Sequence, residues 1–383
     1  MKGLPNKKTI QKPSFWAEGK LDIGFLSIVL ILLSIGLVML FSASYSFSWT
    51  YYGNSYRFIT RQAAFAVAGV AAMLFLSKID YHNYKKLAWP LYVVTLAVLG
   101  ILLVLDPMLP GMDVKRWLVI GPVNFQPSEI AKFSIILLFS SYLSTNPEKI
   151  KKFKYVSFLL VILAVVCILV VLEPHLSATV LIFAIGVVLL IVGGLSLKWV
   201  ALGSAIGIGG GAVAILSGAV GYGSDRIAYW LDPWSDPIGK GYQTIQSLLA
   251  IGSGGLLGRG IGNSRQKYLW IPEPHNDFIF AVVCEEVGIV GAIIIIAIFC
   301  ALIWRGFTIA MRAKDRFGTL LTVGLTFQVA LQALLNILVV TNTLPNTGIS
   351  LPFFSYGGTS LLILLAEMGI ILSVSRSSNL EKA

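Results

Sequence analysis

The chain has 383 residues, 56% of them hydrophobic and only 12% charged. Soluble domains carry roughly 25% charged residues, so this chain cannot present an ordinary water-facing surface and is expected to be a polytopic membrane protein. Its net charge of +11 does not point to nucleic acid, because most Lys and Arg fall in alternate loops, as the positive-inside rule expects.

Residues 1–20 are polar and basic (Lys2, Lys7, Lys8, Lys12, Lys20) and read as a cytoplasmic tail. The apolar run after them is too long for a signal-peptide core, so the tail is expected to be retained. About 20 apolar residues cross a bilayer. That length places ten spans at 23–44, 61–77, 87–105, 128–143, 156–172, 177–195, 199–220, 278–304, 319–340 and 353–374. Lys78, Lys85 and Lys86 follow the second span, Lys149 to Lys154 the fourth, and Arg305 to Arg316 the eighth. All fall on the side of the N-terminal lysines, which is the cytoplasm.

The expected fold is therefore an all-α polytopic membrane protein of ten transmembrane helices with both termini cytoplasmic. Residues 21–376 form one membrane domain, and 377–383 a short cytoplasmic tail. Between helices seven and eight lies a large extracellular loop, 221–276, and the segments 106–127 and 341–352 are also outside. The glycine-rich run IGSGGLLGRGIG (251–262) lacks the Gly-Lys-Ser/Thr ending of a phosphate-cradling loop. Tyr242, Ile245, Leu248 and Leu249 recur at helical spacing before it, which predicts an amphipathic helix on the outer membrane surface, ended by the glycines.

Ionisable groups at membrane depth are expensive and are functional candidates. Glu129, Lys132, Glu173, Glu285, Glu286 and Glu367 are of this kind. In QPSEIAK, Pro127 suits the first helical position, which makes Gln126 the N-cap and Glu129 a first-turn carboxylate. Lys132 lies one turn further on the same face, so the two can pair, either structurally or around a substrate. Asp277, in PEPHNDFIFAVVCEE (272–286), stands where the polar loop meets the eighth span. It reads either as a helix cap or as a carboxylate at the outer bilayer edge, free for chemistry. Counted at 100° per residue, Glu285 lies about 80° from Asp277 and borders the same cavity, while Glu286 lies roughly opposite and pairs with another span.

Cys167, Cys284 and Cys300 sit in apolar runs, so neither a disulfide framework nor a zinc site is expected. His82, His175 and His275 are isolated, and His275 reads as a solvated loop histidine or a proton relay. Arg61, Lys115, Arg116, Arg226, Lys240, Arg259, Arg265 and Lys267 gather on the outer side against the positive-inside trend. As a group they favour an anionic partner there, such as a pyrophosphate lipid.

With these motifs the chain resembles the SEDS family of peptidoglycan polymerases (shape, elongation, division and sporulation), the FtsW/RodA group. The resemblance rests on KRWLVIGPVNFQPSEIAK (115–132), EPHLSAT (173–179), LDPWSDPIGKGYQTIQSLLAIGSGG (231–255), GNSRQKYLWIPEPHNDFIFAVVCEE (262–286) and LPFFSYGGTSLL (351–362). The SRQKY and WSDP wording is closer to the division and sporulation branch than to the elongation-type RodA branch. The resemblance implies a glycosyltransferase at the cell membrane that polymerises lipid II on the extracellular or periplasmic side. It also implies a class B penicillin-binding protein as partner, among other divisome or elongasome membrane proteins. The family aspartate falls on Asp277, and the family's substrate-binding positions fall on Arg61, Arg116, Glu129 and Lys132. Asn276 stands where Thr is common, and His175 where many members have Asp, so His175 inherits no role. No cofactor is demanded by the sequence, although a divalent cation (Mg2+ or Mn2+) bridging pyrophosphate and a carboxylate is compatible with the chemistry. Two rival readings are a lipid II transporter and a scaffold that only recruits the penicillin-binding protein.

Overall fold

The computed structural model describes residues 15–105, 116–121, 123–196, 198, 199, 203, 209 and 221–378. Among them the backbone is almost all helix: α1 (Ile23–Tyr52), α2 (Arg57–Leu76), α3 (Ala88–Val104), α4 (Pro127–Thr145), α5 (Phe153–Leu172) and α6 (Leu176–Val192) form the first part. The second part comprises α7 (Gly221–Leu231), α8 (Tyr242–Gly254), α9 (Ile279–Met311), α10 (Arg316–Val340) and α11 (Gly358–Ser377). Among the described residues seven helices are long and apolar enough to cross a membrane: α1, α2, α3 with the 3-10 turn before it, α5, α9, α10 and α11. The apolar α6 is shorter, at 17 residues, and α4 is 19 residues long and interrupted by serines, Glu129 and Lys132. Nine expected spans thus coincide with helices, and the remaining one, 199–220, lies outside the described residues almost entirely, as does Lys115.

The ends of these helices follow from their caps. Asp22 accepts the Phe25 amide at 2.9 Å to start α1 and pairs with Arg305 of α9 at 2.9 Å. Gly53, at φ 66°, closes α1 in the left-handed region that glycine tolerates. The tenth expected span starts later than its apolar run: residues 353–357 belong to a turning strap, with Phe353 at φ 68°, and α11 begins at Gly358. α10 and α11 are the most enclosed of the seven spans, 61% buried against 22–39% for the others, so the bundle is centred on them. α4 packs beside α10, α3 and α6.

On the expected outer side, a two-stranded hairpin, β1 (Leu118–Ile120) and β2 (Val123–Phe125), pairs antiparallel with Leu118 opposite Phe125 and leads directly into α4. α7 docks on the segment after α10, with Arg226 and Trp230 donating to the carbonyls of Asn346 and Asn342 at 2.7 and 3.0 Å. α8 ends at the glycines, as its sequence predicts, and the expected apolar stripe divides, Ile245 turning inward and Leu248 and Leu249 outward. Thr244, Ile245, Ser247 and Ala250 face the protein, and Ser247 donates to the Val340 carbonyl at 2.7 Å.

α9 is broken within the bundle. Gly288 has φ 68° and ψ −174°, and an added Cβ there would lie 2.3 Å from the Gly258 nitrogen. Into this break runs the backbone of 255–260. The Ile289 and Val290 amides donate to the Gly255 and Leu256 carbonyls at 3.0 and 3.1 Å, and the Arg259 and Gly260 amides to the Glu285 and Glu286 carbonyls at 3.0 and 2.9 Å. Peptide groups freed by the break are satisfied by the loop, as a membrane environment demands.

Candidate active site

Asp277 lies two residues before α9. The N-cap of that helix is Phe278, with no side-chain cap bond, so Asp277 does not hold the cap position that its sequence also allowed. Its backbone is pinned instead. The carbonyls of His275, Asn276 and Asp277 accept in turn from the Tyr356 amide at 2.8 Å, the Ser355 hydroxyl at 2.7 Å and the Asn336 carboxamide at 2.7 Å. The strap between α10 and α11 therefore runs alongside the HND tripeptide, and Gly348 in it passes so close that an added Cβ would lie 3.7 Å from Asp277 Oδ2. The Asp277 side chain lines a cavity of about 430 Å³. Burial pushes its carboxyl up to about 6, aided by Glu273 and opposed by the amides of Asp277 and Phe278 and by Arg226.

Arg61, Arg116, Glu129 and Lys132 line the same cavity. Lys132 is 1% exposed and is held by Glu129 Oε1 at 2.8 Å and Gln332 Oε1 at 3.0 Å. The helix start that brings Glu129 into place is the expected one, with Gln126 as N-cap and Pro127 first. An ammonium has three donors. Among the described residues two are engaged, on the oxygens of Glu129 and Gln332. Arg116, just before β1, donates to the Pro174 carbonyl, and Arg61 projects from the first turns of α2. Glu173, between α5 and α6, is buried and its carboxyl is pushed up to about 8 by that burial, against the pull of Arg116. His175 also faces the cavity, and burial together with the charges of Arg116, Lys132 and Arg226 lowers it to about 3, so it is neutral.

Several expected site residues lie elsewhere. Glu285 does not border the cavity. It is fully buried against the loop between α8 and α9, accepting from Ser264 Oγ at 2.5 Å and the Arg265 and Gln266 amides at 2.9 and 3.2 Å, with Arg259 Nε at 3.6 Å. Helical counting from Asp277 misplaced it because the helix begins only at Ile279. Glu286 pairs across spans as its position suggested, taking the Ser42 hydroxyl of α1 at 2.6 Å, but its charge partner is Lys267 at 2.9 Å. Lys267 is 3% exposed, so it and Arg259 answer internal carboxylates rather than an external anion. His275 is neither solvated nor charged. It is buried against Phe58, Phe47 and Tyr356, with ring centroids 4.3, 4.9 and 5.9 Å away, and burial lowers it to about 4.

Sequence reasoning overlooked the carboxamides of α10. Gln328 donates to Glu367 at 2.8 Å, Gln332 to the Ser350 carbonyl at 3.1 Å, and Asn336 to the carbonyls of Asp277 and Ile349. The signal was available as amides recurring every four residues in an apolar span, a pattern of inter-helix hydrogen bonding in membranes. Among the described residues no three His, Cys, Asp or Glu come together as a metal cage. An Mg2+ or Mn2+ ion held by one carboxylate and the phosphates of a ligand would need no such cage.

A family model described as FTSW_RODA_SPOVE, cell cycle protein, matches residues 24–380. Stage V sporulation protein E of Bacillus subtilis (strain 168) is 37% identical over 364 residues, covering 93% of this chain and 97% of that protein. The probable peptidoglycan glycosyltransferase FtsW of Geobacter sp. (strain M18) is 36% identical over 357 residues, 92% of this chain and 96% of its own. A solved chain from a study of the structural coordination of polymerization and crosslinking by a peptidoglycan synthase complex superposes with a TM-score of 0.74 at 28% identity, covering 93% of this chain and 98% of its own. The rod shape determining protein RodA of Thermus thermophilus superposes with a TM-score of 0.68 at 25% identity, covering 94% and 98%. A multi-pass helical membrane protein matched along nearly its whole length in sequence and fold, this chain belongs to the FtsW/RodA/SpoVE family.

Proposed function

We propose that this protein is a peptidoglycan glycosyltransferase that polymerises lipid II at the outer face of the bacterial cell membrane. The observation that carries the reading is the Asp277 carboxyl facing a cavity that also presents Arg61, Arg116 and Lys132. A hydroxyl attacking an anomeric carbon needs a base within hydrogen-bond reach, and a pyrophosphate leaving group needs its charge met. In this proposal Asp277 takes the proton from the acceptor sugar's 4-hydroxyl as its oxygen bonds to the donor's anomeric carbon. The bond from that carbon to the pyrophosphate oxygen breaks, and undecaprenyl pyrophosphate leaves with the electron pair. One displacement inverts the anomeric centre, as in inverting glycosidases.

Arg61 and Arg116 offer forked donors to the phosphates, and Lys132 an ammonium N–H. Glu129 and Gln332 orient Lys132. Glu285 is left out of the substrate contacts. Similarity to the peptidoglycan glycosyltransferase and sporulation relatives supports a division or sporulation role. Likeness to a chain of a peptidoglycan synthase complex supports a class B penicillin-binding protein as partner. The orientation with residues 221–276 outside rests on the distribution of Lys and Arg, and a lipid II transporter would place its key carboxylate at the membrane midplane rather than at a helix start.

The test is polymerisation of lipid II in detergent by the full chain purified with its partner. D277N is expected to fold and assemble as the unmodified protein does and to make no glycan strands. Undiminished polymerisation by that variant would remove the base from the mechanism.

A further inference from the structure

Gln328, Gln332 and Asn336 stack on one face of α10, because residues four apart lie one above the other. The upper member is the most enclosed. Asn336 is 0% exposed, and its carboxamide donates to the carbonyl oxygens of Asp277 and Ile349, both at 2.7 Å. Its own Oδ1 has no partner among the described residues. A buried acceptor left unpaired is a cost that an apolar side chain of the same size would avoid. The residue therefore does more than fill space.

Three bonds hold the carbonyls of His275, Asn276 and Asp277, and two of them come from the strap itself, through the Tyr356 amide and the Ser355 hydroxyl. The third comes from Asn336, which stands in the helix at the centre of the bundle. It alone of the three refers the Asp277 peptide to a membrane span, and its second bond refers Ile349 of the cavity wall to the same atom. A neutral carboxamide suits the place, since it supplies two donors to two carbonyls without a charge to desolvate.

We propose that Asn336 is a positioning residue for glycan polymerisation, tying the peptide unit that bears the Asp277 side chain, and the strap beside it, to α10 so that the carboxylate meets the acceptor hydroxyl at the right distance. The inference rests on the reading of Asp277 as the base. The charged groups acting on Asp277 are Glu273 on its own segment and Arg226 on α7, while Arg61, Arg116, Glu129 and Lys132 line the same cavity. None of these touches Asn336 in a hydrogen bond, so its effect on the carboxylate is separable from theirs.

The experiment measures polymerisation by the full chain with its partner, from about pH 5 to about pH 8, across the range where a base near 6 titrates. N336L keeps the size and loses the donors; N336A loses both. Both are expected to lower kcat about tenfold to a hundredfold, the scale of a small misplacement of a reacting group. KM for lipid II should change little, and the acidic limb of the kcat profile should move to lower pH as the freed carboxylate gains water. Unchanged kcat and an unmoved limb in both variants would overturn the proposal. So would loss of folded protein in both, scored by size exclusion, because that marks a structural residue. D277N run in parallel separates the two layers. If it is inactive while the Asn336 variants behave as the unmodified protein, only the positioning role fails; if it polymerises, the base reading fails and takes this inference with it.

Discussion

Glu285 and Glu286 lie eight and nine residues after Asp277, in the helix that Asp277 precedes, and their surroundings are opposite. Glu285 and Glu286 are 0% exposed and saturated with donors from Ser264, Arg265, Gln266, Ser42 and Lys267. The Asp277 side chain opens on a cavity, and what is saturated there is its backbone. Carboxylates whose lone pairs are filled by protein donors hold structure. One whose peptide is fixed while its carboxyl lines a cavity is placed to meet a substrate. The difference lies in which part of the residue the protein has bound.

That contrast can be broken from either side. The largest effect is expected from D277N, a loss of about a hundredfold to ten-thousandfold in polymerisation, the usual contribution of a positioned base, with the melting temperature unmoved. Glu286→Ala should do the reverse, costing about 3–5 kcal/mol of stability by leaving Lys267 buried and unpaired. Thermal unfolding in detergent checks it, and Glu286→Leu combined with Lys267→Met should recover part of the loss. Gly288→Ala places a methyl 2.3 Å from a backbone nitrogen at φ 68°. It should cost about 1–3 kcal/mol from the backbone conformation before any clash is counted, and should lower activity and stability together. The mildest test is pH. Burial raises the Asp277 carboxyl to about 6, and the base is active only when ionised, so the rate should fall as pH drops through about 6 and level off above it. An E286Q variant that still folds should keep that limb in place, since Glu286 does not face the cavity.

Helix positions were legible because a span's length is fixed by the bilayer and its ends by recognisable caps, as Pro127 and Gln126 show for α4. The Glu129–Lys132 pair was legible from spacing alone. Glu285 was not, because counting residues around a helix presumes where the helix starts, and α9 starts two residues after Asp277. Lys267 and Arg259 misled because a charge excess on one side of a membrane says nothing of the internal carboxylates that answer it. The aromatic enclosure of His275 joins residues from α1, α2 and the strap, far apart in the chain, and no local pattern foretells it.

The break at Gly288 bears on how the molecule can be cut or labelled. Residues 255–260 look like a glycine-rich surface loop, the kind that ordinarily accepts an epitope or a protease site. Here their peptide groups finish the hydrogen bonding of a membrane helix, so an insertion among them would open that helix from outside. The turn at Ile238, which is 90% exposed, supplies no hydrogen bond to that helix, so added sequence there would leave it closed.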